Sequence, residues 1–450
     1  MSMIKLGTIA LVVAGCGDVV GSDLPGAIAL SSNQVDEQAP AGLAIGTLSA
    51  ADPRFDRFDL IDDADGSFAI VGDALQVAPG AMLDFESAAS RSIVVRARDA
   101  SGGEQLEELE IAIGDVREAT NLADLGSGSL RQALLDAAPG ELILFETGVS
   151  GTLEIASPLR IAKPITLRST GSITLHGGFA GSMIEVAIAT DVTLVDLVLD
   201  GGLGGAISND GRLTVIHNQF SNGVTAAIAN RGRLAVVDST FRNTRLAIAA
   251  NGIATAVTGS TFDGSTANGA GGAIVGGELE ILNCTFSRNV AAGSGGAIAL
   301  IAGTTTIAFS TFADNQASGG GGGVFVAGTA KANIRGSVFA RNAATATPDI
   351  DSSANPGGLS GSGNVLANGA GTSFTSGTDN NLVGVVVALD DLRDNGGPTS
   401  TVLPAVGAAA IDHVPASSCV DLADQPLLVD QRGALRPRGG GCDSGATELP

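Results

Sequence analysis

Three histidines and a small set of acids are the residues of this chain that could perform acid–base chemistry. His217 precedes Asp238 by 21 residues, and His176 and His413 stand alone in the sequence. The acids of the segment 205–342 are Asp210, Asp238, Asp263, Glu278, Glu280 and Asp314. A glycoside hydrolase needs carboxylates at a set separation, and the sequence holds no Ser/His/Asp set, zinc-ligand spacing or phosphate-binding loop. We therefore expect no catalytic residue and no enzyme activity.

An internal repeat over residues 205–342 must position these side chains. Its first marker is a phenylalanine that recurs at spacings of 21 to 27 residues, at Phe220, Phe241, Phe262, Phe286, Phe312 and Phe339. Its second marker is an Ala-Ile pair between the phenylalanines, which Gly-Gly precedes in the later copies. Short alternating segments at this period indicate three short strands per coil. We predict an all-β parallel β-helix with Phe and Ile stacked inside and glycine at corners. The same spacing predicts that His217 stacks on Asp238, and Arg212 on Arg233.

The repeat resembles right-handed parallel β-helix repeat proteins over about residues 120–385, and we assign residues 119–385 to this domain. Many such proteins are polysaccharide lyases or hydrolases, and this resemblance keeps a polysaccharide-active enzyme open as the alternative function. Sugar-binding sites commonly stack rings on Trp or Tyr, and the chain contains neither. The expectation remains a structural or adhesive protein, and a passive surface spacer is the third possibility.

The N-terminus has the order of an export signal. A short basic segment ending at Lys5 is followed by an apolar run from Leu6 to Val13, which is too short to span a bilayer. It ends in Val13-Ala14-Gly15-Cys16, which resembles a bacterial lipobox. The resemblance implies a lipoprotein signal peptide over residues 1–16 and lipid attachment at Cys16. It also implies an outer-membrane or cell-surface location, with residues 17–26 as a linker.

Residues 27–118 alternate short apolar runs with acidic turns, which predicts an antiparallel β-sandwich. Within 18–118 there are 20 acidic residues against six arginines and no lysine. The motifs around Val35-Asp36-Glu37 and Leu83-Asp84-Phe85-Glu86 resemble a single bacterial cadherin-like repeat. That resemblance implies Ca²⁺ ligation by Glu37, Asp84, Glu86 and Asp115. The match departs at Arg117, which stands where the family has a ligating Asn, so a plain acidic sandwich without Ca²⁺ is the competing expectation.

Both ends of a solenoid must be covered. Ser129-Leu-Arg-Gln132 is similar to a capping box, so we predict a short amphipathic helix over the first coil, stopped by Pro139-Gly140. Residues 386–450 break the period, and four of their motifs resemble the C-terminal module of choice-of-anchor (type Q) β-helix proteins, a surface-associated bacterial family. We expect this module to be a cap in which Asp412, Asp430, Arg432 and Glu448 form a network closing the last coil.

We expect structural roles for the remaining cysteines. Cys419 and Cys442 lie close together in the C-terminal region of an exported chain, so we expect a disulfide between them. Cys284 lies in a repeat strand and is expected to be a small ladder residue rather than a nucleophile.

The formal charge of −23 excludes nucleic acid as a partner, because nucleic-acid binders carry basic patches. The sequence thus predicts a lipid-anchored surface protein, structural or adhesive, with Ca²⁺ as the one candidate cofactor. The expected partners are the membrane, through the N-terminal lipid, and a homophilic or heterophilic protein or glycan surface.

Overall fold

The computed structural model describes residues 28–169 and 173–449, so the signal peptide, the linker and Cys16 lie outside the described residues. Contacts divide the described chain between Asp115 and Val116. The unit before this division holds antiparallel sheets, and the unit after it holds a parallel β-helix.

The first unit is a sandwich of two four-stranded sheets. One sheet consists of Ile28–Leu30, Ala44–Ala50, Ala74–Val77 and Phe68–Val71, and the other of Gln34–Asp36, Glu104–Gly114, Ser90–Arg98 and Arg57–Asp62. All pairs are antiparallel except Gln34–Asp36, which runs parallel to the end of Glu104–Gly114. Alternate side chains of both sheets point inward, and fully buried Leu75, Ile93 and Ile111 belong to one shared apolar core.

The second unit winds through three parallel sheets, which confirms the predicted parallel β-helix. Sheet 1 contains Arg117–Ala119, Glu141–Phe145, Ile165–Arg168, Asp191–Val195, Arg212–Ile216, Arg233–Val237, Ala254–Thr258, Leu279–Leu282, Thr304–Ala308, Lys331–Arg335 and Leu359–Ser360. Sheet 2 contains Gly151–Ile155, Ile173–Gly177, Val198–Gly201, Gln219–Ser221, Thr240–Arg242, Thr261–Asp263, Thr285–Ser287, Thr311–Ala313, Val338–Ala340, Val365–Leu366 and Leu382–Val383. Sheet 3 contains Leu159–Ile161, Ile184–Val186, Ile207–Asn209, Ala226–Asn230, Leu246–Ala250, Ile274–Gly276, Ile298–Leu300, Val324–Val326 and Ile350–Asp351. A small fourth sheet of Thr266–Ala267, Val290–Ala291 and Gln316–Ala317 lies between sheets 2 and 3 of three successive coils.

The interior consists of ladders of like residues, as the repeat predicts. The six phenylalanines of the repeat form one buried column in sheet 2, with neighbouring rings 4.5–4.8 Å apart and nearly parallel. The isoleucines of the Ala-Ile pairs stack in the same way in sheet 3, from Ile207 to Ile298. Each side chain thereby meets an identical neighbour, so one shape fits every coil.

In seven successive coils, from Asp196 to Gly336, the chain turns from sheet 1 to sheet 2 through a residue with positive φ. This corner column consists of Asp196, His217, Asp238, Gly259, Asn283, Phe309 and Gly336. The left-handed conformation favours Gly, Asn and Asp, and Phe309 is the bulky exception. The Gly-Gly pairs of the later coils lie where neighbouring backbones are close together. A Cβ on Gly272 would lie 2.0 Å from the Gly296 carbonyl oxygen of the next coil. They therefore allow the backbones of neighbouring coils to approach.

A buried polar ladder follows the corner column. Asn218, Ser239 and Ser260 come directly after corner residues, and each side-chain oxygen accepts the backbone N–H of the preceding coil at 2.7–3.1 Å. Cys284 occupies the same position in the next coil, and its Sγ contacts the Leu282 carbonyl as Ser260 Oγ contacts that of Thr258. The expectation that Cys284 is a small ladder residue is confirmed.

The N-terminal end is covered by the helix Leu130–Asp136, as predicted. Ser129 caps it by accepting the Gln132 N–H, and Leu130, Ala133 and Leu134 are buried in the core of the β-helix. The capping box is only half formed, because the Ser129 N–H donates to the Gly126 carbonyl oxygen and not to the Gln132 side chain, whose Nε2 donates to Asp136. At the other end, Phe374 packs into the same core after the strand Val365–Leu366.

The C-terminal region lies along the side of the β-helix, against sheet 2. The sequence instead predicts that it covers the last coil. Its short elements are the strand pair Val414–Pro415 and Gly441–Cys442 and the 3₁₀ turn Ala416–Ser418; a further turn, Pro356–Gly358, precedes it. Thr399 donates to the Gly259 carbonyl, and Gln431 hydrogen-bonds Thr261 and Thr285 in successive strands of sheet 2. Thr261 and Thr285 of sheet 2 thus offer hydroxyl groups to the C-terminal region. These contacts explain why the C-terminal region lies against the side of the β-helix.

Truncation of one ring in the Phe column tests its contribution. We expect Phe262→Ala to lower the free energy of unfolding by about 3–5 kcal/mol, because it opens a cavity between two stacked rings. Ile253→Ala is the matched control, since Ile253 is 64% exposed, and it should cost less than about 0.5 kcal/mol. Denaturant titration followed by circular dichroism measures both, and equal losses would contradict the ladder's role.

Candidate functional site

Three of the four acids proposed as Ca²⁺ ligands meet at one end of the sandwich. Glu37 follows the strand Gln34–Asp36, and Asp84 and Glu86 lie in the loop before Ser90–Arg98. One carboxylate oxygen from each lies within 4.8 Å of the others. Asp115 follows the strand Glu104–Gly114 and is outside this group of oxygens, although its charge acts on Glu86. The structure therefore brings together Glu37, Asp84 and Glu86, with Asp115 as an electrostatic neighbour.

Each of the three carboxylates is held differently. Glu37 is 1% exposed, and its Oε2 accepts the Phe85 N–H at 2.9 Å, which fixes the acidic loop against the sandwich. Asp84 accepts the Ser87 hydroxyl at 2.8 Å, and this bond holds the pKa of the Asp84 carboxyl below its ordinary value. Glu86 is exposed. The cluster thus has one buried, one hydrogen-bonded and one open carboxylate.

Opposing influences act on the pKa of Glu86. A hydrogen bond from its own backbone lowers the pKa of the Glu86 carboxyl, but burial and repulsion from Glu37, Asp115 and Asp84 outweigh it and raise the pKa overall. A divalent cation relieves this kind of repulsion, and carboxylate oxygens are the ligands Ca²⁺ prefers. The donor set therefore fits Ca²⁺ in part, since six to eight oxygens are needed for a full shell.

Arg117 has a partner of its own. Its Nε lies 2.9 Å from Glu141 Oε1, and the two residues belong to neighbouring strands of sheet 1. The arginine that departs from the cadherin-like pattern is therefore part of the first coil of the β-helix, where it forms an ion pair.

His217 lies between two carboxylates in the corner column. Its Nδ1 is 3.5 Å from Asp196 Oδ1, and its Nε2 is 3.6 Å from Asp238 Oδ2. The predicted stacking of His217 on Asp238 is confirmed. Asp196 is missing from the sequence prediction, although it precedes His217 by the same 21 residues. Burial raises the pKa of Asp238 more than the neighbouring His217 lowers it.

Three further acids of the repeat, Asp210, Asp263 and Asp314, are held in ion pairs between coils. Asp210 pairs with Arg231 at 2.6 Å, Asp263 with Arg288 at 2.7 Å and Asp314 with Arg341 at 2.8 Å. These partners are absent from the sequence prediction, although each arginine follows its aspartate by about one coil. A carboxylate neutralised in this way stabilises the stacking of coils, and a hydrolase would instead need two carboxylates facing one substrate bond.

The remaining histidines and cysteines also have structural surroundings. His176 Nδ1 lies 3.6 Å from Asp200, and His413 contacts the Asn380 carbonyl oxygen at 2.7 Å. Cys419 and Cys442, the pair singled out by the sequence, are joined by a disulfide with a Cα–Cα distance of 6.0 Å. Burial raises the pKa of Cys284 to about 12, so its thiol stays protonated at neutral pH.

A buried charge network holds the C-terminal region together. Arg432 pairs with Asp430 at 2.7 Å, and Arg436 Nη1 lies 3.4 Å from Glu448 Oε2. Burial lowers the pKa of Arg436 to about 10, and its guanidinium stacks on the Phe309 ring at 4.9 Å. Asp412, the third acid of the expected network, accepts the Gly441 N–H at 3.0 Å. The network forms, and it joins the C-terminal region to a corner of the β-helix.

Open grooves lie on the sides of the β-helix. One of about 460 Å³ lies on sheet 1 between Arg233 and Glu280. Another of about 440 Å³ lies where Asp394 and Pro398 meet sheet 2. Neither groove encloses a set of catalytic groups.

No protein-family model and no curated protein matches the chain. A solved structure of ORF18 from Geobacillus virus E2 is similar over 61% of this chain and 67% of its own, at 12% identity and a TM-score of 0.33. Among the described helices, none has the length and apolar character needed to cross a membrane.

Proposed function

We propose that the chain is a lipid-anchored surface protein with a structural or adhesive role, in which the β-helix offers extended faces for contact. The observation that carries this proposal is the open groove across successive strands of sheet 1, which has charged rims and no enclosed pocket. Ion pairing of Asp210, Asp263 and Asp314 between coils supports it further, because these acids serve the stacking of coils. The lipobox, the cadherin-like motifs and the choice-of-anchor motifs are the sequence features that favour a bacterial surface.

Incubation of the purified chain with acidic and neutral polysaccharides, with and without Ca²⁺, tests adhesion against catalysis. We expect the polysaccharides to keep their length, whether or not the chain binds them. Shortened products that disappear with His217→Ala would favour a β-helix enzyme instead. A chain that binds neither polysaccharides, nor cells, nor itself would be a passive spacer.

Lipid attachment at Cys16 has a direct test. We expect Cys16→Ser to block incorporation of labelled palmitate and to release the chain from membranes, since several acyl chains on one residue give a stable anchor. Cys284→Ser is the matched control, because Cys284 is buried in the polar ladder, and it should keep the label. Undiminished labelling of the Cys16→Ser chain would overturn the anchor.

We propose weak Ca²⁺ binding by Glu37, Asp84 and Glu86. In calorimetric titration of the full chain we expect a dissociation constant of about 10⁻⁴–10⁻³ M, the range of extracellular modules. Glu86→Gln should weaken binding. In chelator the same variant should raise the melting temperature modestly, because a raised folded pKa means that the charged form of Glu86 destabilises the folded state at neutral pH.

Asp73→Asn serves as the control for the Ca²⁺ experiment. Asp73 is an exposed acid at the turn between Phe68–Val71 and Ala74–Val77, away from the acidic loop. It should leave both the titration and the melting temperature in chelator unchanged. Equal behaviour of the two variants would leave the segment as a plain acidic sandwich.

A further inference from the structure

The outward face of sheet 1 carries a column of charges that changes sign along the β-helix. Its members lie at or next to the start of successive strands, in the order Asp191, Arg212, Arg233, Ala254, Glu278, Thr304 and Lys331. We call these residues the charge column. Neighbouring coils are about 4.8 Å apart, so the column extends over about 29 Å. Its charges are negative, positive, positive, neutral, negative, neutral and positive.

The groove on sheet 1 lies at the centre of this column. Ala235, Ala254 and Ala256 line its floor, with Arg233 on one rim and Glu278 with Glu280 on the other. The coil that holds Ala254 separates these opposite charges, and no ion pair joins them. Among residues 28–169 and 173–449, the side chains of Arg233 and Glu280 have no hydrogen-bond or ion-pair partner. Both charges are therefore available to an outside group. Glu278 is also exposed, and its Oε1 accepts the Thr304 N–H at 3.3 Å.

The charge column is complementary to a second copy of itself laid against it in the opposite direction. Consider a two-fold axis that lies in the plane of the face and runs along the strand Ala254–Thr258. This axis places the charge column of a second copy against the charge column of the first, with the coils in the opposite order. Arg233 of one copy then faces Glu278 of the other, and Asp191 faces Lys331. Arg212 faces the uncharged Thr304. Every charge of the column thus meets either the opposite sign or a neutral group, and each pair occurs twice.

We propose that sheet 1 binds a second copy of this chain in antiparallel orientation through the charge column. The inference rests on the proposed adhesive function and deepens it by naming the partner. The small alanines of the groove allow the two faces to approach, and the long Arg233 side chain reaches across it toward the acids of the other copy. Exposed ion pairs contribute little individually, so association in solution is weak, and many copies on one surface strengthen it through multivalency.

Sedimentation equilibrium of the full chain, with Cys16→Ser to keep it free of lipid, measures this association. We expect a monomer–dimer equilibrium that weakens as salt is raised, because exposed charges are screened. Arg233→Glu and Glu278→Arg should each weaken dimerisation about tenfold or more, since each places two like-charged pairs in the interface. Arg245→Glu and Glu154→Arg are the controls, because both residues are exposed and lie away from sheet 1.

Mixing the two single variants gives the most specific readout. The Arg233→Glu chain has two acids at these positions and the Glu278→Arg chain has two arginines, so only the mixed dimer is complementary and its affinity should return to that of the parent chain. A monomer at all concentrations, equal weakening by Arg245→Glu, or no recovery on mixing would each overturn the proposal. Adhesion of such a monomer to cells or polysaccharides would leave the proposed function standing, and so separates the two failures.

Discussion

Hydrogen bonding between neighbouring coils is the interaction on which the rest of the β-helix depends. Parallel pairing fixes each residue above its equivalent in the coil before, as with Phe241 between Phe220 and Phe262. A side chain must therefore be compatible with its own kind at about 4.8 Å. Aromatic rings satisfy this by stacking, amides and hydroxyls by hydrogen bonds along the ladder, and many charges by ion pairs between coils, with Arg212 beside Arg233 as a like-charged exception.

This constraint explains why so much of the fold was readable from the sequence. A ladder is visible as a residue type that recurs at the coil length, so the Phe column, the Ala-Ile pairs, the place of Cys284 and the stack of His217 on Asp238 were all predicted. The helix at Leu130 was found through a different signal, its Ser129 cap. Asp196 and the arginine partners carry the same signal, because each lies about one coil length from the residue it contacts.

The position of the C-terminal region was not predictable in the same way. Its contacts with sheet 2 join residues about 140 positions apart, such as Thr399 and Gly259, and no periodicity marks them. The acidic loop is an intermediate case. Its motif indicated Glu37, Asp84 and Glu86, but the burial of Glu37 and the separate position of Asp115 depend on how the strands of the sandwich end.

The fourth sheet shows where this fold accommodates extra chain. In the coils that contain Thr266–Ala267, Val290–Ala291 and Gln316–Ala317, the segment between sheets 2 and 3 is longer than in the coil of Asn243 and Leu246, yet sheets 1, 2 and 3 keep their register. The additional residues pair with one another, and Gln316 also pairs with Ala343 of the next coil. This arc is therefore a natural point for insertions: loops or whole modules could be added there coil by coil, and the distance between successive grafts would be set by the rise of the β-helix itself.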